Sequence, residues 1–308
     1  MRTAWVFPGQ GSQSVDMHKP WLLNAEDQLL LEEASDLLGT DMHAIISGES
    51  ADLNHTANTQ PAILLTSYMA LRHLRGSGVA EPKLMAGHSL GEYTALLAAG
   101  CFDFATALRL VAARGNAMAE AGERQPGLMA AVIGLSLDTI NEICDSISQA
   151  SAVVSAANIN AKGQIVVAGH AKAVQQAMEA CKQAGAKIVK LLPVSVASHT
   201  PLMAEARQVL ADTLTSIEMS APSVPVLRNI DGEVHDQVSD IKKALCQQIV
   251  MPVQWVATLQ TMKNTGIDCH VELAPGKVLT GLCKRTQPSM TLLTLDTPNA
   301  ITSMQVTT

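Results

Sequence analysis

Apolar positions recur along this 308-residue chain in two rhythms, one of strands and one of helices. Trp5-Val6-Phe7 is a short strand running into Pro8-Gly9-Gln10-Gly11-Ser12-Gln13, a loop of turn formers in which Gln13 reads as structural. Lys83-Leu84-Met85-Ala86 follows Pro82 as a strand end. Helical spacing marks residues 24–38, 61–74 with Pro61 in the first turn, 92–100, and 104–120, where Leu108, Val111 and Ala112 share a face. Residues 128–194 have an order of their own. A strand over 128–134 precedes an amphipathic helix over 137–148. Strands over 152–158 and 163–169 meet at an Asn/Lys/Gly turn, a helix over 171–184 ends at Gly185, and a last strand covers 187–194. The order β-α-β-β-α-β is that of a ferredoxin-like domain, and the chain on either side lacks it. The pattern predicts an inserted small domain, 127–195, within a larger domain made of 1–126 and 196–308, with hinges at 124–127 and 193–198.

Composition narrows the class. With 47% hydrophobic but only 3% aromatic residues, the core must be Ala, Leu, Val, Ile and Met, which favours a helix-rich α/β protein over a β-sandwich. No apolar run approaches the roughly 18 residues of a membrane span. Pro8 breaks the first apolar stretch too early for a signal peptide. The cysteines (Cys101, Cys144, Cys181, Cys246, Cys269 and Cys283) are scattered without a C-x-x-C pair. They read as buried thiols in a reducing compartment, so a cytoplasmic protein is expected. A net charge of −7 argues against a general nucleic-acid binder. No metal cluster and no G-x-G-x-x-G loop is visible, and Asp231-Gly232 reads as a turn.

The chemistry is carried by Gly87-His88-Ser89-Leu90-Gly91, a G-x-S-x-G pentapeptide between the strand end at 83–86 and the helix at 92–100. Small residues two before and two after the serine let the backbone turn sharply and present the hydroxyl. The Leu90 N–H then points where an oxyanion would form. A serine needs a base. His88 adjoins Ser89, but neighbours on a strained turn point apart. His199 is the stronger candidate, because it follows the last strand of the small domain, where the chain returns to the large one and a cleft is expected.

In ordered motifs from residue 5 to about 285 the chain resembles the malonyl-CoA:acyl carrier protein transacylase family of fatty-acid and polyketide synthesis. The matching segments are Phe7 to Gln13, Thr59-Gln60-Pro61-Ala62, Gly87 to Glu92, Asn158-Ile159-Asn160 with Gly163-Gln164, Ser198-His199, Pro252-Val253-Gln254-Trp255 and Pro275 to Leu282. The resemblance implies an α/β-hydrolase-like large domain with a parallel sheet carrying Ser89, and the ferredoxin-like insertion as a lid. It implies Ser89 as nucleophile and His199 as general base, its ring held by the main-chain carbonyl of Gln248. The backbone N–H groups of Gln10 and Leu90 form the oxyanion hole, and Arg114 clamps the malonyl carboxylate. Gln60 and Asn160 either line the pocket or satisfy loop backbone. Lys277, Lys284 and Arg285 either meet an acidic carrier protein or coenzyme A phosphates, or form a solvated face. The implied substrate is malonyl-CoA and the implied transient partner is an acyl carrier protein with its phosphopantetheine thiol. No permanently bound cofactor, no metal, no membrane and no nucleic acid are expected, and the chain is expected to be a monomer. Two other readings stay open: an acyl hydrolase of the same fold, and a dedicated carrier-loading subunit of a larger complex. Ala197-Ser198 before the histidine keeps methylmalonyl open as a side substrate.

Overall fold

Two sheets of opposite character organise the chain. The computed structural model describes residues 1–194, 196–235 and 237–307, and only the backbone of 303 and 305–307. In chain order the strands are β1 (Thr3–Phe7), β2 (Leu84–Gly87), β3 (Gly127–Ile133), β4 (Val154–Ala161), β5 (Gln164–His170), β6 (Ile188–Leu191), β7 (Val226–Leu227), β8 (Val234–His235), β9 (Cys269–Leu273) and β10 (Thr291–Leu295). The α-helices are α1 (Ala25–Leu38), α2 (Met42–Ile46), α3 (Thr56–Gly76), α4 (Gly91–Ala98), α5 (Phe104–Arg124), α6 (Leu137–Ile147), α7 (Ala171–Gln183), α8 (Ala204–Ser216), α9 (Val238–Gln248), α10 (Trp255–Asn264), α11 (Val278–Thr286) and α12 (Pro298–Thr307).

The first sheet has the order β10-β9-β1-β2-β7-β8, parallel throughout except for the final β7–β8 pair. Parallel strands covered on both faces carry almost unbroken apolar sequence, and every residue of β1, β2 and β9 is buried. Successive side chains go to opposite faces. Trp5, Phe7 and Met85 join the core beneath α3, α4 and α5, while Ala4, Val6, Leu84 and Ala86 join a second core with Trp255, Leu259 and Leu282. The second sheet is antiparallel, in the order β4-β5-β3-β6. It packs α6 and α7 on one face through Ile140, Cys144, Val174 and Cys181, and turns Met129, Val166 and Ala168 towards the large unit.

Several boundaries differ from the sequence expectation, two of them in segments that border the cleft. The helix expected from Pro61 begins at Thr56, so Pro61 lies inside α3. The polar residues Thr56 to Thr59 masked the first turn, and Pro61 costs the helix only its own N–H bond near that end. The strand expected over 152–158 runs instead from Val154 to Ala161, with register shifts at 156–158 and 159–161. There β4, still paired with β5, also meets the large unit. Ile159 N–H donates to Val253 O at 2.8 Å and Val253 N–H donates to Ala157 O at 2.9 Å. Of the expected hinge over 193–198, Ser195 lies outside the described residues.

His270, on β9, is fully buried, and among the described residues neither ring nitrogen has a hydrogen-bond partner. Burial pushes its imidazole down to about 4 from the ordinary 6.5. The folded state keeps it neutral while the unfolded chain takes a proton below 6.5, so stability falls as the pH drops from 6.5 towards 4. Between pH 7 and pH 5 this residue should remove about 2 kcal/mol. Denaturant midpoints at the two pH values should diverge less in His270→Leu than in the wild type; an equal divergence would show that the acid sensitivity lies elsewhere.

Candidate active site

Ser89 follows β2 at a turn that only its two glycines permit. Its φ is +54°, in the left-handed region that a residue with a Cβ rarely adopts. A Cβ on Gly87 would fall 1.8 Å from the Gly91 carbonyl carbon, and one on Gly91 would fall 2.0 Å from Phe7 O. The neighbouring loop is pressed against the same turn, because a Cβ on Gly9 would lie 2.3 Å from His88 O. Gln10 and Leu90 consequently line one cleft, beyond the C-terminal ends of the parallel strands.

Ser89 Oγ donates to His199 Nε2 at 2.8 Å, and His199 Nδ1–H donates to the main-chain carbonyl of Gln248 at 2.6 Å. A carbonyl oxygen can only accept, so the proton is on Nδ1 and the lone pair on Nε2 faces the serine. His199 itself sits at φ +62°, its N–H donating to Ile249 O at 3.0 Å. Burial, and after it the charge of Arg114, pushes the imidazole down to about 3, so it is neutral in the resting site. Among the described residues, no carboxylate hydrogen-bonds this ring.

Arg114 enters from α5 and is 1% exposed. Nη1 donates to Gln60 Oε1 at 2.5 Å, and Nη2 donates to Gln248 Oε1 at 3.0 Å and to Ser89 Oγ at 3.1 Å. The Tyr93 ring lies 5.3 Å beneath the guanidinium. Gln60 is braced in turn, since its Nε2 donates to Thr56 Oγ1 and the Thr56 hydroxyl donates to Gln10 Oε1. Burial holds the guanidinium below its usual range, and Nε has no hydrogen-bond partner among the described residues. Among the described residues no carboxylate forms an ion pair with it. A buried cation of this kind, at the wall of a cleft, can pair with an anion. The cavity measures ≈ 90 Å³ and has apolar walls from Met118, Met129, Leu192, Val194 and Val196. That is the space of about three water molecules, enough for a short acyl group.

Asn160 stands apart from the cleft. Its Oδ1 accepts from His88 Nε2 at 2.8 Å, while Asn158 lines the cavity in its place. The register shifts in β4, at 156–158 and 159–161, fall at these residues, and no sequence pattern announces them. Lys277, Lys284 and Arg285 are exposed on and beside α11. A larger open groove of ≈ 1340 Å³ between α5 and α8 contains neither Ser89 nor His199. Among the described residues no group of three or more His, Cys, Asp or Glu gathers as a metal cage.

Three contributions escaped the sequence. Asn229 Oδ1 accepts from the Ser89 N–H at 2.6 Å and its Nδ2 donates to Gly87 O at 2.6 Å, clamping both sides of the turn. Glu92, buried behind the serine, accepts from Asn229 N–H, from His235 Nε2 and from Gln248 Nε2. The side chain of Gln248 also donates to Ser89 O at 2.9 Å, so this residue supports serine, histidine and arginine together. The only sequence signal was Asn229 beside the Asp231-Gly232 turn, which says nothing about a partner 140 residues away.

Residues 4–302 match the model of the acyl transferase domain. The chain is 44% identical, over 97% of its own length and 97% of the other, to the malonyl CoA-acyl carrier protein transacylase of Escherichia coli K12. Among solved structures it is similar to a type II PKS acyl-carrier protein in complex with its malonyl-transacylase, with a TM-score of 0.96, 39% identity and full coverage of both chains. It is equally close to the malonyl CoA-acyl carrier protein transacylase of Coxiella burnetii, with a TM-score of 0.95, 38% identity, and coverage of 99% of this chain and 96% of that one.

Proposed function

The chain belongs to the acyl transferase domain family, and from that premise we propose what each residue of the cleft does. The protein is a malonyl-CoA:acyl carrier protein transacylase: it moves malonyl groups to an acyl carrier protein for fatty-acid or polyketide synthesis. The observation that carries the assignment of roles is the buried Arg114 guanidinium, unpaired by any described carboxylate and 3.1 Å from a serine hydroxyl that is itself bonded to a neutral imidazole.

His199 Nε2 takes the Ser89 proton as Oγ attacks the thioester carbonyl. The Gln248 carbonyl keeps Nδ1 protonated and stabilises the imidazolium less than a carboxylate would, which suffices because a thioester is more reactive than an amide. The developing oxyanion is received by the N–H groups of Gln10 and Leu90. Collapse expels the coenzyme A thiolate, which takes the proton from His199. The phosphopantetheine thiol of the carrier then gives its proton to His199, attacks the malonyl-serine ester, and Ser89 recovers a proton as it leaves. No cofactor needs to stay bound. Arg114 pairs with the free malonyl carboxylate through its planar fork, and Gln60 orients that fork.

The strand order of the second sheet supports a ferredoxin-like small domain over 127–195. The parallel sheet with its serine turn supports an α/β-hydrolase-like large domain over 1–126 and 196–308. All cysteines are free thiols, which favours work in the reducing cytoplasm.

The test is intact-protein mass spectrometry after mixing with malonyl-CoA, then with a holo carrier protein. A malonyl adduct that moves to the carrier is expected. An adduct lost to water with no gain on the carrier would make the protein an acyl hydrolase. Arg114→Ala should lower malonyl loading about 100-fold or more, from loss of a buried charge-assisted pair, and raise the share of acetyl in a competition between the two donors. Unchanged selectivity would remove Arg114 from carboxylate recognition.

A further inference from the structure

We infer that Arg114 holds Ser89 in a restrained state when the cleft is empty, and that a carboxylate arriving on the guanidinium releases the nucleophile. The inference rests on the reading of Arg114 as the acyl-carboxylate site, and it moves specificity from binding into the bond-forming step. Three observations carry it. Nη2 donates to Ser89 Oγ at 3.1 Å, so a cation occupies a lone pair of the attacking oxygen. The guanidinium is buried, and among the described residues Nε has no hydrogen-bond partner and no carboxylate forms an ion pair with it. Glu92, the acid whose charge reaches it, is already committed to Asn229, His235 and Gln248. In the transition state Oγ bonds to the carbonyl carbon, negative charge builds on the carbonyl oxygen and the imidazole gains a proton. Arg114 then loses its acceptor and faces a second cation on His199. Burial of the imidazole beside Arg114 already disfavours that cation. A bound carboxylate draws the fork away from Oγ and neutralises it, removing both penalties at once. A neutral acyl group leaves them in place even when it fits the cavity.

The experiment uses a neutral reagent that needs no carboxylate of its own. Methanesulfonyl fluoride reacts at Ser89 by forming an Oγ–S bond and breaking S–F; fluoride leaves and His199 accepts the hydroxyl proton. Labelling of the full-length protein is followed by intact mass, with the site mapped by peptide analysis, in formate against an equal concentration of chloride. Formate should accelerate labelling of the wild type about tenfold or more, the worth of a charge-assisted hydrogen bond. Arg114→Met should label at the faster rate in chloride and gain nothing from formate. Labelling that formate leaves unchanged or slows in the wild type overturns the inference. So does an Arg114→Met variant that is no faster than the resting wild type. The wild-type arm decides alone if the variant does not fold. Malonyl-CoA loading of the same preparation is scored separately, so the transferase reading can stand while the restraint falls, or the reverse.

Discussion

Ser89→Ala should load no malonyl group and transfer none to a carrier, a fall of roughly 10⁴-fold or more. The size follows from geometry. Ser89 Oγ is the one oxygen bonded to His199 Nε2 and approached by Arg114 Nη2. Deleting it leaves base and clamp without a reacting atom. The carboxylate site is untouched, so malonyl-CoA should still bind and raise the melting temperature of the variant. Loss of loading with retained thermal stabilisation therefore separates chemistry from binding. A covalent malonyl adduct forming on the variant at the wild-type rate would put the nucleophile on another residue.

The second large effect is on the turn itself. Gly87→Ala should cost upwards of about 3 kcal/mol, because the new Cβ would lie 1.8 Å from a backbone carbon that cannot rotate aside. Either β2 slips from its pairing of Phe7 with Gly87, or α4 moves off the strand. In both cases the Asn229 clamp on Gly87 O and Ser89 N opens. A chain of this size should lose roughly 5 °C or more in melting temperature, and loading should fall with it. Gly281→Ala is the control: a Cβ there meets nothing within 4 Å on α11, and alanine favours the helix. Equal melting temperatures for Gly87→Ala and wild type would show that the turn relaxes freely.

What was legible in the sequence is what short-range chemistry encodes. Gly87, Ser89 and Gly91 lie within five residues, and the clash that demands glycine is local, so the turn could be read directly. The strand and helix order of 127–195 was readable from alternating and helical apolar spacing. Arg114 was different. Nothing on α5 separates it from Arg109 or Arg124, and only the family resemblance singled it out. Whether Asn160 faces the cleft was left open by the sequence, because register shifts in β4, beside a bridge to Val253 far along the chain, decide the direction of each residue there. Asn229, Glu92 and His235 assemble across separations of about 140 residues, where no periodicity connects them.

The link between β4 and Val253 bears on how such a protein can be recombined. The stretch from Gln248 to Gln254 holds the His199 ring at one end, pairs with β4 in its middle and reaches Asn229 at the other, where Gln254 N–H donates to Asn229 O at 2.7 Å. A small unit transplanted from a relative, with joints only near 126 and 196, would meet a foreign splint. Its strand edge would then misalign the imidazole support and the serine clamp together. Chimeras that carry the matching 248–254 stretch with the small unit should keep their chemistry, which makes these two separated parts of the chain one inheritable module.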